Sequence, residues 1–198
     1  EDARTIIWMP TFRKSDILLS AENQIDLPFQ LPALKNEREL EELDHCLKEK
    51  EVFLIIKKHP LQSGWDSSEE NYTNIRYVTE EMLAGAGIWL YEMVGVCDAL
   101  ISDYSSIAVD FMLLDRPLGF TLDDYEAYTE SRGWVFEDPL EYMPGEHIYN
   151  VQQFEQFVLD VKNGKDDYRA QRAAIRGKTH NVTDNYCKRV LDYFHITR

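Results

Sequence analysis

The chain has 198 residues, and a hydrophobic content of 44% is enough to build one sizeable core. A formal net charge of −15 disfavours nucleic acid or an anionic bilayer as the general partner. No stretch approaches the roughly 18 uncharged apolar residues of a membrane-spanning helix. Three widely spaced cysteines indicate a reducing compartment rather than a disulfide framework. No pair of histidines has zinc-ligand spacing, so we expect no metal site.

Strands and helices are predicted to alternate along the chain. Short β-rich apolar runs favour strands, and stretches with apolar residues every three or four positions favour helices. This alternation predicts an α/β fold, a Rossmann-like parallel sheet with helices on both faces. Loops are expected at 14–32, 61–73 and 121–150. The predicted strands are 5–9, 52–57, 74–78, 98–102 and 117–120, and the predicted helices are 36–51, 88–96, 106–115, 151–161, 166–177 and 183–195.

Three polar clusters follow predicted strands: "PTFR" at 10–13, "KKHP" at 57–60 and "SDYSS" at 102–106. In an open α/β sheet, ligands bind where the carboxyl ends of strands meet the amino ends of helices. Serine hydroxyls and free N–H groups at a helix start suit a phosphate, and Lys57 and His59 would add positive or proton-donating groups. The three clusters together predict an anion-binding edge.

Each cluster also has a purely structural interpretation. Ser105 is a good helix N-cap whether or not a ligand binds, and residues 57–60 are also typical of a solvated strand end. Asp103 and Asp110 suit helix caps or solvated helix faces, and Arg13 suits a pair with the acidic surface. The charge is uneven, because residues 1–150 hold 30 acidic and 12 basic residues whereas residues 151–198 hold 6 and 9. The basic end suits either a solvated helical face or contact with a phosphate-bearing surface.

A family resemblance runs through these motifs. The order "PTFR", Lys-x-His-Pro, "ISDYSSIAVDFMLLDRP", "DDYEAY", "SRGWVFE" and "MPG" resembles the CDP-glycerol glycerophosphotransferase family of teichoic acid primases, teichoic acid polymerases and related capsule polymerases. The resemblance covers about residues 5–145 and extends weakly to "THNVTDNYCKRV". One departure is Trp89, where many members carry an acidic residue.

The resemblance implies a GT-B architecture, with this chain as its carboxyl-terminal, donor-binding half. Residues 1–198 would form a single donor-nucleotide-binding Rossmann-like domain with terminal helices at about 151–198, and the amino-terminal acceptor domain would be absent from this chain. Family members also use a histidine in that absent half as the proposed base, so we expect this chain alone to bind donor but turn over poorly. The donor-contacting residues implied are Lys57, His59, Ser105, Ser106 and Asp110, with Asp103, Arg13 and Arg132 as further contacts.

The implied reaction is attack of an acceptor hydroxyl on the β-phosphorus of CDP-glycerol or a related CDP-polyol, with CMP leaving. Ser105 and Ser106 would hold the pyrophosphate, and Lys57 would neutralise it. His59 would be the catalytic residue that donates a hydrogen bond or a proton to the departing CMP phosphate. Asp110 would accept from polyol hydroxyls. No cofactor or metal is expected to be required.

The implied acceptor is a lipid-linked polyol-phosphate or glycan chain, reached through the absent half. The full-length protein would be cytoplasmic and peripheral at the inner face of the membrane, with no membrane contact by this region and no nucleic acid partner. Two rivals remain open: a GT-B glycosyltransferase using a nucleotide sugar for cell-surface polysaccharide synthesis, and a degenerate, non-catalytic donor domain.

Overall fold

A computed structural model describes residues 3–11, 29, 31–57, 72–182 and 184–196. Strands and helices alternate through most of this range, as the sequence predicts. The strands are β1 (Arg4–Trp8), β2 (Val52–Lys57), β3 (Ile75–Val78), β4 (Ala99–Ser102), β5 (Leu118–Thr121) and β6 (Glu146–Ile148). The helices are α1 (Glu37–Glu49), α2 (Glu80–Ala86), α3 (Leu90–Val96), α4 (Ile107–Phe111), α5 (Tyr125–Arg132), α6 (Val151–Lys162), α7 (Arg169–Thr179) and α8 (Tyr186–Tyr193), with 3-10 turns at Met112–Leu114 and Pro139–Tyr142.

The six strands form one parallel sheet in the order β3-β2-β1-β4-β5-β6. Strands β2 and β3 extend the sheet from one side of β1, and strands β4, β5 and β6 extend it from the other side. Trp8 of β1 therefore lies between Ile56 of β2 and Ile101 of β4. The gap between the ends of β1 and β4 is the topological switch point, where sheets of this order bind ligands.

Both faces of the sheet are buried, which explains why its strands are almost uniformly apolar. Side chains alternate across a strand, so Ile6 and Trp8 pack on the face covered by α1 and α6, and Ile7 packs on the opposite face with α3 and α4. The Trp8 ring meets Phe154 of α6 edge-on, with ring centroids 5.0 Å apart. The predicted Rossmann-like sheet with helices on both faces is confirmed.

The predicted loop at 121–150 is wrong. This stretch contains α5 and β6, so β5 is not the last strand. Helix α5 buries none of its residues and carries no apolar stripe, and β6 has only three residues directly after Pro144 and Gly145. Helix α2 was also missed. The predicted loops at 14–32 and 61–73 lie almost entirely outside the described residues.

Three arginines of α7 fix this helix against the end of α4 and the 3-10 turn that follows it. The side chain of Arg172 is fully buried and pairs with Asp166 and Asp115. Arg169 Nε donates to Asp115 Oδ2 at 2.9 Å. Further along α7, Arg176 donates to the carbonyl of Met112 at 3.3 Å. The helix is therefore held at successive turns.

Gly145 is required by close packing. A Cβ atom at Gly145 would lie 2.3 Å from the carbonyl oxygen of Leu118, which belongs to β5. We expect Gly145→Ala to destabilise the protein by about 1–3 kcal/mol, since the backbone of one strand must move. Gly177→Ala in α7 is the matched control, because a Cβ there meets nothing within 4 Å and alanine favours helix. Urea unfolding of both variants tests this, and equal stability would contradict it.

The ion pairs on Asp115 make stability depend on pH. Burial raises the pKa of Asp115, but the hydrogen bond from Arg169 and the charges of Arg169, Arg172 and Arg176 outweigh it, and the net pKa is lowered. A lowered carboxyl pKa contributes stability above the ordinary aspartate pKa of about 3.9, and that stability is lost as pH falls through the lower folded value.

We therefore expect Asp115→Asn to be less stable than the parent chain at pH 7 and the difference to shrink as pH falls from about 4 toward 2. Unfolding measurements at several pH values check this. A difference that stays constant over the same pH range would show that the Asp115 carboxylate charge is not what fixes α7.

Candidate functional site

One carboxylate joins the two strands at the switch point. Asp103, directly after β4, is only 1% exposed. Its carboxylate accepts from the backbone N–H of Thr11 at 2.8 Å, from the Thr11 hydroxyl at 2.5 Å and from the N–H of Tyr104 at 2.7 Å. Thr11 follows β1, so this set of hydrogen bonds fixes the loops after β1 and β4 against each other.

The two serines begin α4 at the same edge of the sheet. Ser106 is the N-cap residue and is exposed, but its side chain makes no cap hydrogen bond. The Ser105 hydroxyl lies 3.5 Å from the N–H of Ile107, which is at the outer limit for a hydrogen bond. The predicted capping role of Ser105 is therefore weak. Neither hydroxyl is held by a short bond from the described part of the chain, so both remain available to a ligand.

Asp110 lies one helical turn after Ser106 and has a partner that the sequence did not indicate. The Tyr91 hydroxyl, on α3, donates to Asp110 Oδ2 at 2.6 Å. This hydrogen bond, with burial and the charge of the Asp110 carboxylate, raises the pKa of Tyr91 to about 12. Tyr91 therefore stays protonated across the physiological range and holds one carboxylate oxygen in place.

Lys57 ends β2 at the same carboxyl edge. Its side chain is 5% exposed, and its Nζ lies 3.0 Å from Glu80 Oε2 at the start of α2. Strand β1 lies between β2 and β4, which places the ends of β2 and β4 about 10 Å apart at the usual strand spacing. Lys57 thus provides a cation at the edge that carries the serines, while Glu80 offsets part of its charge.

Packed aromatic rings connect Arg132 to the "SDYSS" segment. Its guanidinium lies 5.5 Å from the centroid of the Tyr128 ring. That ring packs at 3.9 Å on Tyr104, whose hydroxyl donates to Asp124 at 2.7 Å. Trp134 packs against this cluster with its ring centroid 5.1 Å from that of Tyr104. The cluster connects α5 to the "SDYSS" segment.

The structure brings most of the described candidates to one edge. Lys57, Ser105 and Ser106 lie along it, with Arg132 connected through Tyr128. Asp103 also lies there, although its carboxylate is occupied by protein groups, which indicates a positioning role. His59 and Arg13 lie outside the described residues, and their predicted roles remain predictions. Sequence reasoning missed Tyr91, Tyr104 and Asp124, because a tyrosine–carboxylate pair across elements has no sequence spacing that reveals it.

Within the described residues, no group of three or more histidine, cysteine, aspartate or glutamate side chains is arranged to hold a metal ion. No helix in the same part of the chain is both long and apolar enough to cross a bilayer. The polar groups that the structure describes at the site are the hydroxyls of Ser105 and Ser106, the amine of Lys57 and the hydrogen-bonded pair of Tyr91 and Asp110.

This fold and edge define a Rossmann-like α/β domain of the kind that forms one half of a GT-B transferase. The family model for CDP-glycerol:poly(glycerophosphate) glycerophosphotransferase matches residues 1–195. The chain belongs to this transferase family.

Several characterised proteins are similar to the chain. The teichoic acid glycerol-phosphate primase of Bacillus subtilis is 30% identical over 149 residues, which is 75% of this chain and 33% of the primase. The teichoic acid poly(glycerol phosphate) polymerase of Bacillus spizizenii is 26% identical over 167 residues, or 84% of this chain and 38% of the polymerase. The structure of the wall teichoic acid polymerase TagF matches with a TM-score of 0.68 and 22% identity, covering 98% of this chain and 44% of TagF. The chain spans about a third to under a half of the length of these relatives.

Because the Asp103 carboxylate accepts these hydrogen bonds, we expect truncation of this side chain to lower the stability of the fold strongly. Asp103→Ala leaves the Thr11 and Tyr104 N–H groups without their acceptor in a buried place, and we expect a cost of about 2–4 kcal/mol. Asp192→Asn, on the exposed surface of α8, is the matched control and should change stability by less than about 0.5 kcal/mol. Chemical denaturation measures both, and similar values for the two variants would rule out this role for Asp103.

Proposed function

We propose that this chain is the donor-binding region of a transferase that moves glycerol phosphate, or a related polyol phosphate, from a CDP-activated donor to a hydroxyl of a growing cell-wall or capsule polymer. The observation that carries the proposal is the pair of serine hydroxyls, Ser105 and Ser106, at the switch-point edge, where neither receives a short bond from the residues that the structure describes. Lys57 lies on the same edge. Membership of the family supports a CDP-polyol over a nucleotide sugar as the donor.

The chemistry needs charge stabilisation more than covalent participation by the protein. An acceptor hydroxyl attacks the β-phosphorus, the bond to the bridging oxygen breaks, and CMP leaves with that oxygen. Ser105 and Ser106 donate hydrogen bonds to pyrophosphate oxygens, and Lys57 offsets their charge. His59, two residues after Lys57, donates to the departing CMP phosphate. Arg132 and Arg13 are further proposed phosphate contacts. No metal or cofactor is required in this scheme.

The acceptor is proposed to bind outside this chain. Its relatives contain at least as much polypeptide again beyond the matched region, which is where we place acceptor binding and the base that activates the acceptor hydroxyl. A solved TagF structure was obtained after a soak with CDPG, which supports a CDP-linked donor for a relative with this fold. We place the full-length protein in the cytoplasm, peripheral at the inner face of the membrane.

Titration calorimetry of the 198-residue chain tests donor binding. We expect binding of CDP-glycerol or CDP-ribitol and none of UDP-glucose or GDP-mannose. The double variant Ser105→Ala with Ser106→Ala should bind the CDP-polyol at least tenfold more weakly, because it loses two donors to a charged group.

Ser131→Ala, which removes a serine hydroxyl from the last turn of α5, is the matched control and should bind normally. Preference for a nucleotide sugar, absence of CDP-polyol binding by the parent chain, or an unchanged affinity in the double variant would each contradict the proposal.

A further inference from the structure

Asp124 stands at the N-cap position of α5 but does not cap that helix. Aspartate at this position usually accepts a hydrogen bond from the N–H of the second or third helical residue. The backbone of Asp124 (φ −111°, ψ 20°) departs from the extended conformation of such residues, and its side chain makes no cap hydrogen bond. Instead, its Oδ1 accepts from the hydroxyl of Tyr104 at 2.7 Å. Asp124 is only 8% exposed, and a buried carboxylate needs hydrogen-bond donors, so this side chain is committed to a residue outside its own helix.

Tyr104 is held through both its main chain and its side chain. Its backbone N–H donates to the Asp103 carboxylate at 2.7 Å, and its hydroxyl donates to Asp124. Tyr104 directly precedes Ser105 and Ser106, so its ring projects from the segment that carries the two serines. Two buried carboxylates therefore fix the residue that leads into the serine pair.

Helix α5 depends on this tyrosine for its position. The helix has eight residues, buries none of them, and is too short to be stable on its own. Its Tyr128 ring packs on the Tyr104 ring with centroids 3.9 Å apart. Its first residue, Tyr125, stacks on Trp134, and both of these side chains pack against the core. The core contacts thus hold the two ends of the segment, and Tyr104 supports the turn between them.

The same ring contact sets the position of Arg132. This arginine lies one helical turn after Tyr128, and its guanidinium is 5.5 Å from the centroid of the Tyr128 ring. A cation over an aromatic ring is attracted to the face of that ring. Contacts therefore run from Asp124 through the Tyr104 and Tyr128 rings to the guanidinium. Arg132 is one of the proposed phosphate contacts, and its distance from the serines depends on each of these contacts.

We propose that Asp124 is a positioning residue for donor binding, which acts through the Tyr104 hydroxyl to hold α5 and Arg132 beside the segment that carries Ser105 and Ser106. This proposal rests on the proposed function and deepens it. Asp124 does not contact the donor itself, because a carboxylate repels phosphate and this one already accepts from the tyrosine.

Calorimetric titration of the 198-residue chain with CDP-glycerol tests this role. Asp124→Ala should weaken binding about tenfold, because α5 loses the hydrogen bond that positions it. Tyr104→Phe removes only the hydroxyl and should weaken binding to the same extent. Asp124→Asn keeps an acceptor oxygen for that hydroxyl and should bind within about threefold of the parent chain. The double variant Asp124→Ala with Tyr104→Phe should bind no more weakly than either single variant, since both remove the same interaction.

The direction of the change separates positioning from simple charge. Removal of a carboxylate near a bound pyrophosphate strengthens binding if charge alone matters, whereas loss of position weakens it. Asp123→Ala is the matched control, because Asp123 is the exposed neighbour and its removal changes the net charge equally but should not weaken binding. Tyr193→Phe, on the exposed surface of α8, controls for the loss of a tyrosine hydroxyl. Thermal unfolding checks that each variant is folded at the temperature of the titration.

Arg132 gives a second measure of the same coupling. Arg132→Ala should weaken CDP-glycerol binding in the parent chain. It should have little further effect in the Asp124→Ala chain, where α5 no longer holds the guanidinium at the site. An equal effect of Arg132→Ala in both chains would overturn the proposal.

The outcomes distinguish this proposal from the proposed function. If the parent chain binds CDP-glycerol and both Asp124→Ala and Tyr104→Phe bind it equally well, the positioning role is overturned and the donor-binding function stands. A loss of affinity in Asp123→Ala as large as that in Asp124→Ala also overturns the positioning role. If the parent chain binds no CDP-glycerol, the proposed function itself fails, and the positioning role fails with it.

Discussion

The site depends on the buried carboxylate of Asp103. It sits where the two halves of the sheet diverge and satisfies two backbone N–H groups and one hydroxyl. Parallel strands leave their loops unpaired at the carboxyl edge, so the loops after β1 and β4 need a side chain to fix them together. An acceptor-only group suits this place, since both loop ends present donors. Because Asp103 is held, Ser105 and Ser106 begin α4 at a defined position.

A second constraint acts from the far end of the chain. Arginines along α7 hold it against the end of α4, and His180, directly after α7, lines the same cavity as Asp110 of α4. The buried Arg172 is costly to desolvate unless paired, which commits Asp166 and Asp115 to it. The end of the chain therefore does more than cover the sheet, because His180 and Tyr186 line a cavity of about 470 Å³ together with residues of α3 and α4.

The sequence predicted the elements that carry a strong hydrophobic pattern and missed those that do not. Strands such as β2 are buried on both faces and are visible as apolar runs. Helix α5 buries nothing, so no periodicity reveals it, and β6 is too short to stand out from its flanking proline and glycine.

The candidate site likewise contains some residues that the sequence predicted and others that it missed. "SDYSS" was identifiable because its polar residues directly follow a strand, and Lys57 was found in the same way. The Tyr91–Asp110 bond and the place of His180 follow from the packing of helices that are distant in the chain, and local sequence carries no trace of such contacts. The predictions for His59 and Arg13 concern residues outside the described range.

A crystal structure of the chain with CDP-glycerol would test the central claim most directly. The account predicts pyrophosphate oxygens within hydrogen-bond distance of the Ser105 and Ser106 hydroxyls. A ligand bound at another edge of the sheet, or a pyrophosphate that contacts neither serine, would contradict it.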